Sequence, residues 1–230
     1  MAEPKIPLVL ATTNTGKARE IRAALAGLPY RVLTLADIGV ASAYPERGAT
    51  FEANARGKSI HYSRKSGYLT IADDSGLEVE ALNGAPGVRS ARFSGRAKRP
   101  TRETRGGQAQ ERCGGDRLKG AAGRGATDAR NNAKLLRLMA GVPPARRGAR
   151  FVCSMALARD GKVLKVVRGQ VRGRIIDAPR GDLGFGYDPL FHYRPWGRTF
   201  GEIPHARKNA ISHRGRAIAR MKAFLAARRG

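Results

Sequence analysis

Apolar and polar positions along this chain switch between two periods, and the switches mark its elements. Leu8 to Thr12 is a short apolar run rich in β formers, followed by the polar turn Thr13-Asn14-Thr15-Gly16. From Lys17 to Leu28 apolar residues recur at Ile21, Ala24, Leu25 and Leu28, which is helical spacing. Arg31 to Leu35 predicts a second strand. Strand, tight loop, helix, strand in that order predicts an α/β fold with at least some parallel pairing.

The pattern continues downstream. Thr50 to Lys65 predicts a helix with Phe51, Ala55, Ser59 and Tyr62 on one face, ended by Gly67. Tyr68 to Ala72 and Leu77 to Leu82 predict strands, with an acidic turn, Asp73-Asp74-Ser75-Gly76, between them. Pro86-Gly87-Val88 is a turn. A helix resumes from Asp128, with Leu135, Leu136, Leu138 and Met139 as its core side. Arg150 to Ala158 and Lys162 to Val171 predict a hairpin turned by Arg159-Asp160-Gly161. Residues 177 to 189 form a loop punctuated by glycine and proline. Ser212 to Ala227 predicts a closing helix, with Ser212 as N-cap and Ile218, Met221, Phe224 and Leu225 inward.

Arg96 to about Gly125 breaks the pattern. It has almost no apolar residues, two Gly-Gly pairs and scattered arginines, so it cannot bury a core and predicts a mobile surface insertion in a single domain spanning 1–230. It carries no aromatic residue for base stacking, which disfavours a nucleic-acid arm. The overall charge still changes the picture. Lys and Arg number 44 against 18 Asp and Glu, a net +26 that attracts polyanions, nucleotides among them. The two cysteines, Cys113 and Cys153, sit in unrelated contexts and make neither a disulfide framework nor a zinc site, so a reducing cytoplasm is expected. The first apolar run, Ile6 to Ala11, is too short for a signal-peptide core or a membrane span, and no later stretch is long enough either, so no membrane partner is expected.

Four segments carry residues suited to chemistry. Thr12-Thr13-Asn14-Thr15-Gly16-Lys17 joins a strand to a helix, where orphan N–H groups and the helix dipole suit a phosphate and Lys17 adds a mobile charge. It is not a Walker A loop, which requires glycine at Ala11 and Ser or Thr at Ala18, and alone it is equally a plain helix start. Asp73-Asp74-Ser75-Gly76 offers carboxylates for a hard cation such as Mg²⁺ and for orienting or deprotonating an attacking water; alone it is equally an ordinary polar turn. Gly184-Phe185-Gly186-Tyr187-Asp188-Pro189 places aromatics between glycines, which suits a flat ligand or a packed turn, and Asp188 adds an acceptor for a base N–H. Lys208-Asn209-Ala210-Ile211-Ser212-His213-Arg214 gathers cationic and donor side chains at a helix start.

Together these segments resemble the Ham1/RdgB family of inosine/xanthosine triphosphate pyrophosphatases. The resemblance runs through LVLATTNTGKAREI, TFEANARGKS, ADDSGLEVEALNGAPGVRSARFSG, NNAKLLRLM, GFGYDPLF and KNAISHR. It implies an elongated mixed β-sheet with flanking helices, and two lobes around a nucleotide-binding cleft. It further implies a Mg²⁺-dependent, usually homodimeric enzyme that hydrolyses ITP, dITP and XTP to the monophosphate and pyrophosphate. On that resemblance Thr12, Thr13, Asn14, Thr15, Gly16 and Lys17 wrap the triphosphate. Asp74 is the proton acceptor and a metal ligand, and Ser75 contacts substrate. Phe185, Gly186, Tyr187 and Asp188 line the base pocket, Lys208 touches the nucleotide, and His213 and Arg214 read the purine 6-oxo group. The chain departs from the family pattern where Glu-Glu-x-Gly becomes Pro45-Glu46-Arg47-Gly48, leaving Glu46 as the expected second metal ligand, and where Glu-Asn-Ala becomes Ala53-Asn54-Ala55 beside Glu52.

Overall fold

The computed structural model describes residues 5–40, 44–95 and 121–228. Seven strands form one sheet in the order β2-β1-β3-β4-β5-β6-β7. β1 (Ile6–Leu10) pairs in parallel with β2 (Tyr30–Thr34) and with β3 (Leu69–Val79). From β3 onward the pairing is antiparallel, through β4 (Gly148–Arg159), β5 (Lys162–Ile175), β6 (Phe191–Tyr193) and β7 (Arg198–Thr199). Helices α1 (Thr15–Ala24), α2 (Phe51–Ser66), α3 (Ala121–Leu138), α4 (His205–Ile211) and α5 (His213–Ala227) flank it. The expected α/β class with a mixed sheet is the observed one.

Strand alternation decides what packs where, because successive side chains point to opposite faces. Leu69 and Ile71 of β3 enter a core with Ile21 of α1, Leu25 at its C-cap, and Met221 and Leu225 of α5. Farther along the same face, Leu77 and Val79 enter a second core with Leu135 of α3, Met139, Phe191 and Phe200. Ala72 points the other way, into a smaller cluster with Tyr62 of α2. Two cores thus sit side by side on one face, and α2 covers part of the other.

The helix ends follow from their capping residues. The Asn14 side chain accepts from Lys17 N–H, Thr50 from Ala53 N–H and Ser212 from Gly215 N–H, each meeting an orphan donor of the first turn. Gly67, at φ 68°, closes α2 in the left-handed region. Asp160 and Gly161, at φ 50° and 76°, form the two-residue turn between β4 and β5, as the hairpin requires.

Several expectations change. The acidic segment is not a turn: β3 runs unbroken through it, with Asp73 opposite Met155 and Asp74 opposite Ser154 of β4. Gly76 serves packing instead of bending. A Cβ there would lie 2.3 Å from Ser90 Oγ and 2.8 Å from Gly87 O, so glycine lets the 3-10 segment Gly87–Arg92 close against the strand. α1 ends at Ala24, four residues early, ahead of Gly27 at φ 86°. α3 begins at Ala121, before Asp128, and Leu138 is 43% exposed because Leu135 and Met139 take the inward positions. The expected insertion at 96–125 lies outside the described residues except for 121–125, which are helical.

Candidate active site

β3 brings the site together from both of its faces. On the face shared with α1 and α5, Asp73 Oδ2 lies 2.7 Å from Lys17 Nζ and 4.0 Å from Arg214 Nε. Arg214 also donates to Glu20 Oε2 at 2.9 Å and to Ser75 Oγ at 3.2 Å. Asp73 is 1% exposed and Arg214 3%. Burial alone would raise the Asp73 carboxyl, but Lys17, Arg214 and Lys58 together outweigh it and hold the group below its usual range. Asp73 is therefore a fixed anion that organises two cations.

Asp74 points to the opposite face, toward α2. Its Oδ2 accepts from Asn54 Nδ2 at 2.8 Å, and its Oδ1 from Ser75 N–H at 2.9 Å. Burial raises its pKa, Glu46 raises it further, and the Asn54 bond with the more distant Lys17 and Lys58 does not cancel them. The two neighbours are thus pushed apart in acidity because they occupy different faces. That separation suits one to permanent charge and the other to proton transfer.

Glu46, expected beside Asp74, is close enough to act on it electrostatically and is itself paired with Lys58 Nζ and, at 3.8 Å, with Arg92. Lys58 also donates to the Asp73 carbonyl at 3.0 Å, which fixes an ammonium against the backbone of β3. Burial would lower Lys58, but Asp73 and Glu46 raise it, so it stays charged. No group of three or more His, Cys, Asp or Glu among the described residues could hold a metal by itself.

The loop Thr12–Lys17 closes on itself. Thr12 Oγ1 accepts from Asn14 N–H at 3.1 Å, and Asn14 Oδ1 accepts from Lys17 N–H at 3.1 Å. Thr13 and Thr15 are exposed at its rim. A Cβ on Gly16 would reach 4.0 Å from Phe185 Cε1, so the loop abuts the aromatic segment. Phe185, 36% exposed, presents its ring beneath Lys208 Nζ at 5.2 Å and the Arg214 guanidinium at 5.4 Å, both within cation–π range.

The remaining members divide between floor and support. Asp188 Oδ2 accepts from Phe185 N–H at 2.9 Å and from the buried Lys208 ammonium, so it fixes both. Tyr187, 4% exposed, turns its ring into the second core and donates its hydroxyl to Ser90 O at 2.8 Å; Phe185 alone of the two aromatics faces out. His213 stacks on Phe151 at 4.8 Å between centroids. Burial first, then Arg214, Lys208 and Lys17, holds its pKa well below the usual value. It is a neutral imidazole with one donor and one acceptor, not a cation. Asp73 Oδ1, His213 Nδ1 and Arg214 Nε are buried polar atoms without a hydrogen-bond partner among the described residues.

Sequence reading missed Glu20, Asn54 and Lys58. Their signal is helical spacing: Glu20 follows Lys17 by three positions on α1, and Asn54 and Lys58 are four apart on α2, so each pair shares a helix face.

Known proteins resemble this chain in sequence and in fold. The sequence profile of the Ham1 family matches residues 8–110 and 113–224. A dITP/XTP pyrophosphatase of an Anaeromyxobacter species is 48% identical over 221 residues, 95% of this chain and 96% of the relative. One from Geobacter sulfurreducens is 43% identical over 218 residues, with 95% and 96% covered. Among solved structures, a HAM1 protein from Coxiella burnetii superposes with a TM-score of 0.77 at 32% identity, over 96% of this chain and 98% of that one. A nucleoside-triphosphatase, dITP/XTP pyrophosphatase, from Mycobacterium abscessus gives 0.69 at 37% identity, over 94% and 98%. With its sequence matched almost end to end and its sheet shared by those structures, this chain belongs to the Ham1 family.

Proposed function

We propose that this protein hydrolyses non-canonical purine nucleoside triphosphates, ITP, dITP and XTP, to the monophosphate and pyrophosphate, and so clears them from the nucleotide pool. The observation that carries this reading is the split pair on β3: Asp73 paired with Lys17 and facing Arg214 on one face, and Asp74 held by Asn54 on the other. The names of the relatives from Anaeromyxobacter and Geobacter support the substrate class.

The triphosphate lies against the Thr12–Lys17 loop, where Lys17 and the start of α1 oppose its charge. Asp74 takes a proton from water as the water oxygen bonds to phosphorus at the α–β bridge. The bridging bond breaks, and pyrophosphate leaves. Asp74 and Glu46 would hold Mg²⁺, an ion that keeps several waters and uses few protein carboxylates, so the donor set fits. The ion would neutralise phosphate charge.

The base stacks on Phe185 and meets Lys208, His213 and Arg214. A 6-oxo purine accepts hydrogen bonds there. Adenine presents an amino donor instead, which leaves buried protein donors unpaired and is rejected for that reason. A homodimer and a cytoplasmic location belong to the same proposal; no helix among the described residues is long and apolar enough to cross a membrane.

A steady-state assay with ITP, XTP, dITP, GTP and ATP, with and without Mg²⁺, tests this. Release of pyrophosphate from ITP, faster than from ATP and lost on chelation, is expected. Equal rates across the panel, or orthophosphate as product, would overturn it.

A further inference from the structure

The segment carrying Phe185 is held from within by Asp188 and from outside by α3. Gly186 adopts φ 64°, and a Cβ there would meet nothing within 4 Å, so glycine is needed for backbone conformation and not for space. Both polar groups of this residue are fastened by α3. Asp128 Oδ2 accepts from Gly186 N–H at 2.8 Å, and Asn132 Nδ2 donates to Gly186 O at 3.0 Å. Asp128 and Asn132 are four residues apart and share one helix face. Fixing the N–H and the C=O of one left-handed residue fixes the peptide planes on both sides of it, and so the direction in which Phe185 leaves the loop.

The same helix ties that loop to the catalytic strand. Asn131, 2% exposed, accepts from Ser94 N–H at 2.8 Å and donates to Ser90 O at 3.3 Å. Ser90 O also receives the Tyr187 hydroxyl, and Ser90 Oγ accepts from Leu77 N–H at 2.9 Å, three residues beyond Asp74. Direct hydrogen bonds therefore link Tyr187 through Ser90 to β3, and α3, which holds Gly186 through Asp128 and Asn132, is tied to the same Ser90 by Asn131.

We propose that Asp128 and Asn132 are positioning residues for base recognition, a clamp on Gly186 that sets Phe185 relative to the strand bearing Asp74. The inference rests on the reading of this chain as a purine triphosphate pyrophosphatase. Neither side chain contacts the proposed reacting atoms; they act through the Gly186 backbone. A clamp predicts loss in substrate capture and in base selectivity, whereas a merely structural helix contact predicts neither.

The test compares Asp128→Ala, Asp128→Asn and Asn132→Leu with the wild type. Asparagine keeps an oxygen that accepts from Gly186 N–H; alanine keeps none. Asp128→Ala and Asn132→Leu should each lower kcat/KM for ITP about tenfold, mostly through KM, and narrow the ITP-to-ATP ratio, as loss of one positioning hydrogen bond predicts. Asp128→Asn should stay within about twofold of the wild type. Hydrogen exchange at the Gly186 amide, read by NMR without substrate, should speed up in Asp128→Ala and not in Asp128→Asn. Folded Asp128→Ala and Asn132→Leu proteins with wild-type KM and selectivity would overturn the clamp, as would unchanged Gly186 exchange in Asp128→Ala. Wild-type protein inactive on ITP would overturn the functional reading instead, and the exchange measurement would still decide the clamp.

Discussion

Asp73 and Asp74 are bonded neighbours whose side chains lie on opposite faces of β3, one against Lys17 and Arg214, the other against Asn54. An extended strand imposes that opposition. It separates an anion that holds cations in place from a carboxyl raised toward the range where it can accept a proton.

Replacing the two should therefore give different failures. Asp74→Asn should lower kcat for ITP by about 10³-fold, within the range for loss of a general base, with little change in melting temperature. Asp73→Asn should instead cost about 3 kcal/mol of stability, because it takes the carboxylate from Lys17 and leaves the buried Arg214 with Glu20 as its remaining anion. Thermal unfolding beside steady-state kinetics separates them. Equal effects of both substitutions on both readouts would show that the faces do not divide the work.

Gly169 on β5 sets how closely α5 approaches. A Cβ there would lie 2.0 Å from His213 O and 2.6 Å from Ala217 N, both backbone atoms that cannot swing aside. Gly169→Ala should push the start of α5 outward with His213 and Arg214, at a cost of about 1–3 kcal/mol from overpacking. KM for ITP should rise while the residues named in the site remain intact. A variant with native stability and native KM would mean that α5 absorbs the methyl.

His213 gives stability a pH dependence of definite sign. Its folded-state pKa lies well below the ordinary value of 6.5, so between the two the unfolded chain binds a proton that the folded chain does not. Its contribution is complete above the ordinary value and is lost as pH falls beneath it, at up to about 1.4 kcal/mol per pH unit. Chemical denaturation from pH 7.5 down to 5 should show this decline, and His213→Gln should flatten it. The same slope in both proteins would assign the decline to other groups.

Phe185 is exposed, and its loss should cost little stability. Phe185→Ala removes the ring beneath Lys208 and Arg214 and should raise KM for ITP about tenfold, the scale of one base-stacking contact, with kcat nearly kept. An equal fall in kcat would show that the ring acts on the chemical step and not on capture.

The sequence by itself determined the order of elements as far as β5, apart from one strand read as two, together with the closing helix and the local punctuation, but not β6, β7 or α4. The Asn14, Thr50 and Ser212 caps, the Gly67 stop and the Asp160-Gly161 turn all act within three or four residues, so their chemistry is complete in a short stretch of chain. The motif residues were picked out by the resemblance of their four segments together to one family, since each segment alone was equally a plain turn or helix start. What each one does was decided by tertiary structure. Asp-Asp-Ser-Gly has the composition of a turn, and only the hydrogen bonds of β4 keep it extended and send its two carboxylates to opposite faces. His213 is neutral, and Tyr187 is in the core, because of side chains brought to them from distant parts of the chain. Glu20, Asn54 and Lys58 lie within matched segments that assign them no role; they join the site because α1 and α2 pack beside β3 and aim polar atoms at Arg214, Asp74 and the strand backbone. Protonation and pairing depend on burial and on charges remote in sequence, and those exist only once the sheet has formed.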